Sequence, residues 1–199
     1  MTTKSASRQD TKTALLQAGL DVMLEKGYNN TGIQEVLSSL GVPKGSFYYY
    51  FESKESFAIA IIRYVDKDYR DSLSSVLNDR QKSPLERLHH YCQTSRLGFL
   101  SQECRKGCLI GNLSQEMSDQ SETLRKELSE VMARRVTMFA RCIEEGQTLG
   151  EITKVGSAEQ LALFFISSLS GALMSAKTVK TIDPTDTFID LMFNHFLKA

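Results

Sequence analysis

The chain predicts an all-α fold: a three-helix head at the N-terminus carrying a helix-turn-helix, followed by a larger helical body, about nine helices in all. Three observations predict it. Apolar residues recur at helical spacing through nearly the whole sequence, helix-start and helix-stop residues punctuate that pattern, and no segment alternates as a strand would.

The elements follow in order. Residues 11–26 repeat Ala14, Leu15, Ala18, Val22 and Met23, and Gly27 is placed to cap the C-terminus. Thr31 with Gln34 fits a capping box, and Ile33, Val36, Leu37 and Leu40 form one apolar face behind it. Gly41-Val42 is a turn, and Pro43 suits the first position of a very short helix, 43–49. Ser53 caps a longer helix, 54–78, carrying Phe57, Ile61, Tyr64 and Val65. Ser83-Pro84-Leu85-Glu86 is a second capping box, opening a helix to about residue 102. A polar loop, 103–107, precedes a helix over 108–118, and an amphipathic stretch over 121–146 ends near Gly146. Ser157 with Gln160 caps a helix over 158–178, and Asp183-Pro184 opens the last, to about 197. The expected domains are 1–54 and 55–199.

Composition narrows the function classes. The 199 residues are 41% hydrophobic and 24% charged, as in ordinary globular proteins. No apolar run approaching the roughly 20 residues of a membrane span stands out, and the polar N-terminus lacks a secretory core, so a cytoplasmic protein without a membrane partner is expected. Cys92, Cys104, Cys108 and Cys142 then read as free thiols rather than a disulfide framework. The net charge is zero, but residues 1–54 hold six basic against five acidic residues, +1, which leaves −1 for the rest.

The helix over 43–49 carries the functional signal. Phe47 and Phe51, four apart, face inward with Val42, which leaves Lys44, Gly45, Ser46, Tyr48, Tyr49 and Tyr50 largely outside. In a helix-turn-helix the second helix enters the major groove. Lys44 suits a phosphate or a guanine edge, Gly45 permits close backbone approach, and Ser46 and the tyrosine hydroxyls can donate to phosphate oxygens. Lys54 at the start of the next helix and Thr31 at the start of the preceding one are further phosphate contacts, and Lys4 and Arg8 form a basic arm.

On these residues, Thr31, Gly41-Val42-x-Lys44-Gly45-x-Phe47-Tyr48-x-Tyr50-Phe51 and Lys54-Glu55, the N-terminal region resembles the TetR family of transcriptional repressors, with Tyr50 where many members have His. The resemblance implies an all-helical homodimer whose last two long helices pack against the partner. A double-stranded DNA operator and a small-molecule or electrophile effector are the other implied partners, and no cofactor is implied. Two readers about 34–36 Å apart would then read a palindrome.

Arg105-Lys106-Gly107-Cys108 is the second feature. A thiol in the first turn of a helix, beside cations, is favoured as thiolate and suits a sensor of electrophiles or oxidants. The segment Gly107-Cys108-Leu109 through Leu113-Ser114-x-Glu116 also resembles the NemR-like, electrophile-sensing subgroup, which implies that Lys177 faces Cys108. The alternative is a structural Cys108 beside a cavity for a non-covalent apolar effector, with Tyr91, Phe99, Met117, Met138, Phe139, Phe165 and Met174 as candidate lining. A thiol-dependent enzyme around Cys108 lacks any supporting His and carboxylate order, and Cys104-x3-Cys108 makes a poor metal site across its glycine. A protein-binding helical module without DNA affinity is the remaining rival.

Overall fold

A computed structural model describes residues 8–199. Among them are nine α-helices: α1 (Arg8–Lys26), α2 (Ile33–Leu40), α3 (Lys44–Tyr50), α4 (Lys54–Leu77), α5 (Pro84–Ser101), α6 (Leu109–Met117), α7 (Glu122–Leu149), α8 (Ala158–Val179) and α9 (Asp183–Leu191). A single π-type turn, Met192–Phe196, follows α9. The described residues form no strand beyond one isolated antiparallel bridge, Ile152 to Lys198. The chain divides into two compact units, one ending at Lys67 and including Leu109–Ser129, the other comprising Asp68–Cys108 and Glu130–Ala199.

In the first unit, Leu15, Met23, Val36, Leu37, Phe47, Phe57, Ile61 and Ile62 are buried almost completely. Burying such side chains is the main stabilising term, worth roughly 1.5–3 kcal/mol each. Gly19 sets the contact of α1 with α4, because a Cβ there would lie 2.4 Å from Cζ of Phe57 and 2.7 Å from Cδ1 of Ile61. Phe47, Phe51 and Phe57 form an aromatic triangle with centroids 4.7–5.4 Å apart.

The second unit is built around Leu88, Cys92, Phe139, Ile143, Phe165, Leu169, Phe188 and Phe193. Phe165 is its hub, with ring contacts to Phe139, Phe188 and Phe193. A satellite cluster joins Phe99, Cys104 and Ala176.

Several boundaries differ from the sequence expectation for identifiable reasons. Thr31 does not cap α2: Gly32 is the N-cap without a side-chain bond, and the Thr31 hydroxyl donates instead to the Gly27 carbonyl at 2.6 Å. Pro43 is the N-cap of α3 rather than its first residue, with an extended ψ of 146°. Gly146 does not end α7. It is buried within the helix, where a Cβ would meet Ile152 at 2.5 Å, and Gly150, at φ 74°, provides the left-handed exit. The boxes at Ser83–Glu86 and Ser157–Gln160 form as expected, and at α4 Ser53 and Ser56 exchange bonds between side chain and backbone.

The apolar content of α8 exceeds the expectation as well. By length and hydropathy alone it suffices to cross a membrane, although Phe165, Ile166 and Leu169 pack into the second unit's core.

Candidate nucleic-acid interface and effector site

The turn between α2 and α3 is closed by backbone bonds. Gly41 adopts φ 64°, its N–H reaches Ser38, and the Val42 N–H donates to Leu37 at 3.0 Å. Only glycine enters that conformation without penalty. α3 then has seven residues, too few to hold itself together in water. Phe47, fully buried, and Phe51 fasten it from below.

The open side of α3 carries Lys44, Gly45, Tyr48 and Tyr49, with Tyr48 54% and Tyr49 63% exposed. Ser46 and Tyr50 are half-buried, and the rings of Tyr49 and Tyr50 meet edge to face at 5.0 Å. A Cβ on Gly45 would touch nothing of the protein within 4 Å. Arg8 lies 5.6 Å from the Tyr49 ring centroid, whereas Lys4 falls outside the described residues.

Two expected phosphate contacts are turned inward. Thr31 is buried with its hydroxyl committed to Gly27, so it offers no surface to a ligand in this arrangement. Lys54 donates to the Asn29 carbonyl at 3.0 Å, lies 4.7 Å from the Tyr28 ring centroid, and is held below the usual lysine pKa by burial. The same turn carries a contact that sequence reasoning missed. Glu116 of α6 accepts the backbone N–H groups of Tyr28 and Asn29, each at 2.7 Å.

In the second unit Cys108 is exposed and immediately precedes α6, one residue short of the first turn expected for it. Cys92, Cys104 and Cys142 are buried, and burial pushes the Cys142 thiol up to about 11. The cation at Cys108 is Arg135 of α7, whose Nη1 donates to Sγ at 3.5 Å. The Arg135 guanidinium also lies 3.9 Å from the Tyr69 ring centroid, and the hydroxyls of Tyr69 and Tyr91 are 2.8 Å apart. Desolvation raises both phenols above the ordinary tyrosine range. Lys177 is half-buried on α8, one residue beyond Ala176, which packs with Phe99 and Cys104.

Four of the seven candidate lining residues, Tyr91, Met138, Phe139 and Phe165, share one cluster in the second unit. Tyr91, Phe139 and Phe165 belong to the second unit's core, and Met138 lines an open cleft of about 300 Å³ with Leu77, Arg80 and Cys142. Phe99 belongs to the satellite cluster and Met174 is exposed. Met117 is buried in the first unit. The described residues contain no group of three or more His, Cys, Asp or Glu side chains suited to a metal.

Known proteins agree with this architecture along nearly its whole length. The family described as bacterial regulatory proteins, tetR family, matches residues 15–61, and the tetracyclin repressor-like C-terminal domain matches 84–192. The HTH-type transcriptional repressor DhaR of Mycobacterium sp. (strain GP1) is 35% identical over 97% of this chain and 96% of its own. The chain belongs to the TetR family. Among solved structures, a regulatory protein TetR from Rhodobacter sphaeroides superposes with a TM-score of 0.87 at 34% identity, covering 92% of this chain and 97% of that one. The reduced form of Escherichia coli NemR gives 0.85 at 28% identity over 94% and 97%. TetR-family members are transcriptional regulators rather than enzymes, and in this one α2 and α3 are the helix-turn-helix.

Proposed function

We propose that this TetR-family regulator is a homodimeric repressor whose two α3 helices read a palindromic operator. The observation that carries the reading is the division of α3, with Phe47 sealed beneath and Tyr48 and Tyr49 open above. Lys44, Tyr48 and Tyr49 are the principal DNA contacts, with Ser46 and Tyr50 at the margin. Gly45 keeps its side clear although nothing inside the protein needs the space, which suits close approach by a phosphate backbone. Lys54 braces the Tyr28–Asn29 turn in the free protein and would have to leave the Asn29 carbonyl to reach DNA. The head is residues 1–54 and the remainder binds the effector and the second copy.

A partner copy accounts for the apolar surface of α8 and the chain's end. Leu163, Phe164, Leu191 and Phe196 are exposed, and the Phe164 and Phe196 rings lie 5.8 Å apart. A helix apolar on more than one side calls for burial on more than one side.

Release follows modification of Cys108 or binding of a small effector in the body. Cys108 is the exposed thiol, and Nη1 of Arg135 reaches its sulfur at 3.5 Å. Lys177 is a secondary candidate. A repressor of this kind acts in the cytoplasm, where its operator lies.

Footprinting on the DNA flanking its own gene, followed by titration with Lys44→Ala and Tyr48→Ala, tests the reader. Both variants should stay folded and dimeric yet lose operator binding; retained affinity rejects the assignment. Cys108→Ser should bind the operator normally and no longer release it on electrophile treatment.

A further inference from the structure

Arg135 is 6% exposed, and among the described residues its Nε has no hydrogen-bond partner. Its face rests on Tyr69 and its Nη1 reaches Cys108. The groups that act on it most strongly are Cys108, Tyr69 and Tyr91, none of which is a carboxylate. A buried guanidinium without a counter-anion opposes folding strongly.

The same unit treats its other inward-facing arginines differently. Arg87 meets the Glu145 carboxylate and three backbone carbonyls, those of Leu77, Asp79 and Lys82. Arg96 forms a two-pronged pair with Asp186. Arg135 is thus a buried cation with an unused donor, and the thiol it touches is open to solvent.

Its surroundings define what would complete it. The Tyr69–Tyr91 contact uses one of two hydroxyl protons, and burial keeps both phenols protonated, so the pair can donate but not supply negative charge. Beyond the hydroxyls the neighbours are apolar: Tyr91 packs on Phe139 at 5.0 Å, and Met132 and Val136 lie against the same core. A planar anion with a short apolar tail fits a guanidinium fork.

We infer that Arg135, flanked by Tyr69 and Tyr91, is a binding site for a small organic carboxylate, one oxygen of which accepts the free Nε–H. Binding there requires no covalent change at Cys108.

Calorimetry on the full-length protein with propionate, propionamide and inorganic phosphate tests it. Wild type and Cys108→Ser should both bind propionate saturably and not propionamide, and Arg135→Gln should weaken propionate at least about tenfold, the loss of one charge-assisted contact. Equal binding of propionamide, a preference for phosphate over propionate, or unchanged affinity in Arg135→Gln overturns the inference. A Cys108→Ser protein that binds propionate while ignoring electrophiles separates this site from the sensing role of the thiol.

Should Arg135→Gln fail to fold, wild type still decides. The rate of Cys108 alkylation by iodoacetate relative to iodoacetamide should exceed the same ratio for free cysteine by about fivefold or more, because the buried cation attracts the carboxylate. Propionate should slow the reaction. A ratio equal to that of free cysteine, with no protection, rejects the site.

Discussion

Oε2 of Glu116 accepts the backbone N–H of Tyr28 at 2.7 Å, although the two residues are 88 positions apart in the chain. Its other oxygen takes the next N–H, that of Asn29, so one carboxylate closes the turn leading into the helix-turn-helix. Gly27 makes room: at φ 79°, a Cβ there would stand 2.8 Å from the same carboxylate. Glu116→Ala should therefore lower stability by roughly 1–3 kcal/mol, leaving two N–H groups without their acceptor. Gly27→Ala should destabilise as well, through both its conformation and its contact. Thermal unfolding of both variants checks this, and wild-type midpoints would refute it.

The two faces of α3 should respond oppositely to truncation. Phe47→Ala removes a fully buried ring from the aromatic triangle and should cost about 3–5 kcal/mol. Tyr48→Ala and Tyr49→Ala, on the exposed side, should change stability by less than about 0.5 kcal/mol while abolishing operator binding. Paired denaturation and mobility-shift titrations give both readouts.

Acid should act through Glu145. Its bond to the buried Arg87 holds its carboxyl below the ordinary 4.5. A depressed folded-state pKa means that the stabilisation is complete above the unfolded value and is lost as pH falls below 4.5 through the folded value. Asp186, lowered by Arg96, acts in the same direction from 3.8 downward. Glu145→Gln should flatten the loss of stability between about pH 5 and 2, measured by urea unfolding at stepped pH. An unaltered slope would remove Glu145 from the account.

Helix ends in the second unit offer changes of opposite sign. Lys180 ends α8 at φ 61°, a conformation that costs an L-residue about 1–2 kcal/mol, so Lys180→Gly should be neutral to stabilising by up to about 1 kcal/mol. Gly146→Ala should destabilise, since the new methyl meets Ile152 and Pro84. Comparing the two midpoints by calorimetry tests both.

Much of the head was legible in the sequence because its signals are local. The left-handed glycine at 41, the phenylalanines at 47 and 51 and the Ser53 start each act within a few residues, and each falls where periodicity puts it. Thr31 misled because its hydroxyl has two acceptable partners, and the earlier Gly27 carbonyl won over the α2 N–H groups. Gly146 misled because glycine serves equally for helix exit and for close packing, and only Ile152, brought near by the fold, decides which. Glu116 was out of reach, since its partners are backbone groups of a distant turn. Arg135 did leave a trace. It continues the apolar series Leu128, Val131, Phe139 on α7, and an arginine on such a stripe must be buried or paired. The contact of Arg135 with Cys108 joins residues 27 positions apart, so no local pattern announces it.

Gly19 carries a mechanical consequence. With the tip of the Phe57 ring seated in the notch left by its missing side chain, α1 and the first turns of α4 cannot slide or roll on each other without a collision. Within the first unit these two helices therefore travel as one body.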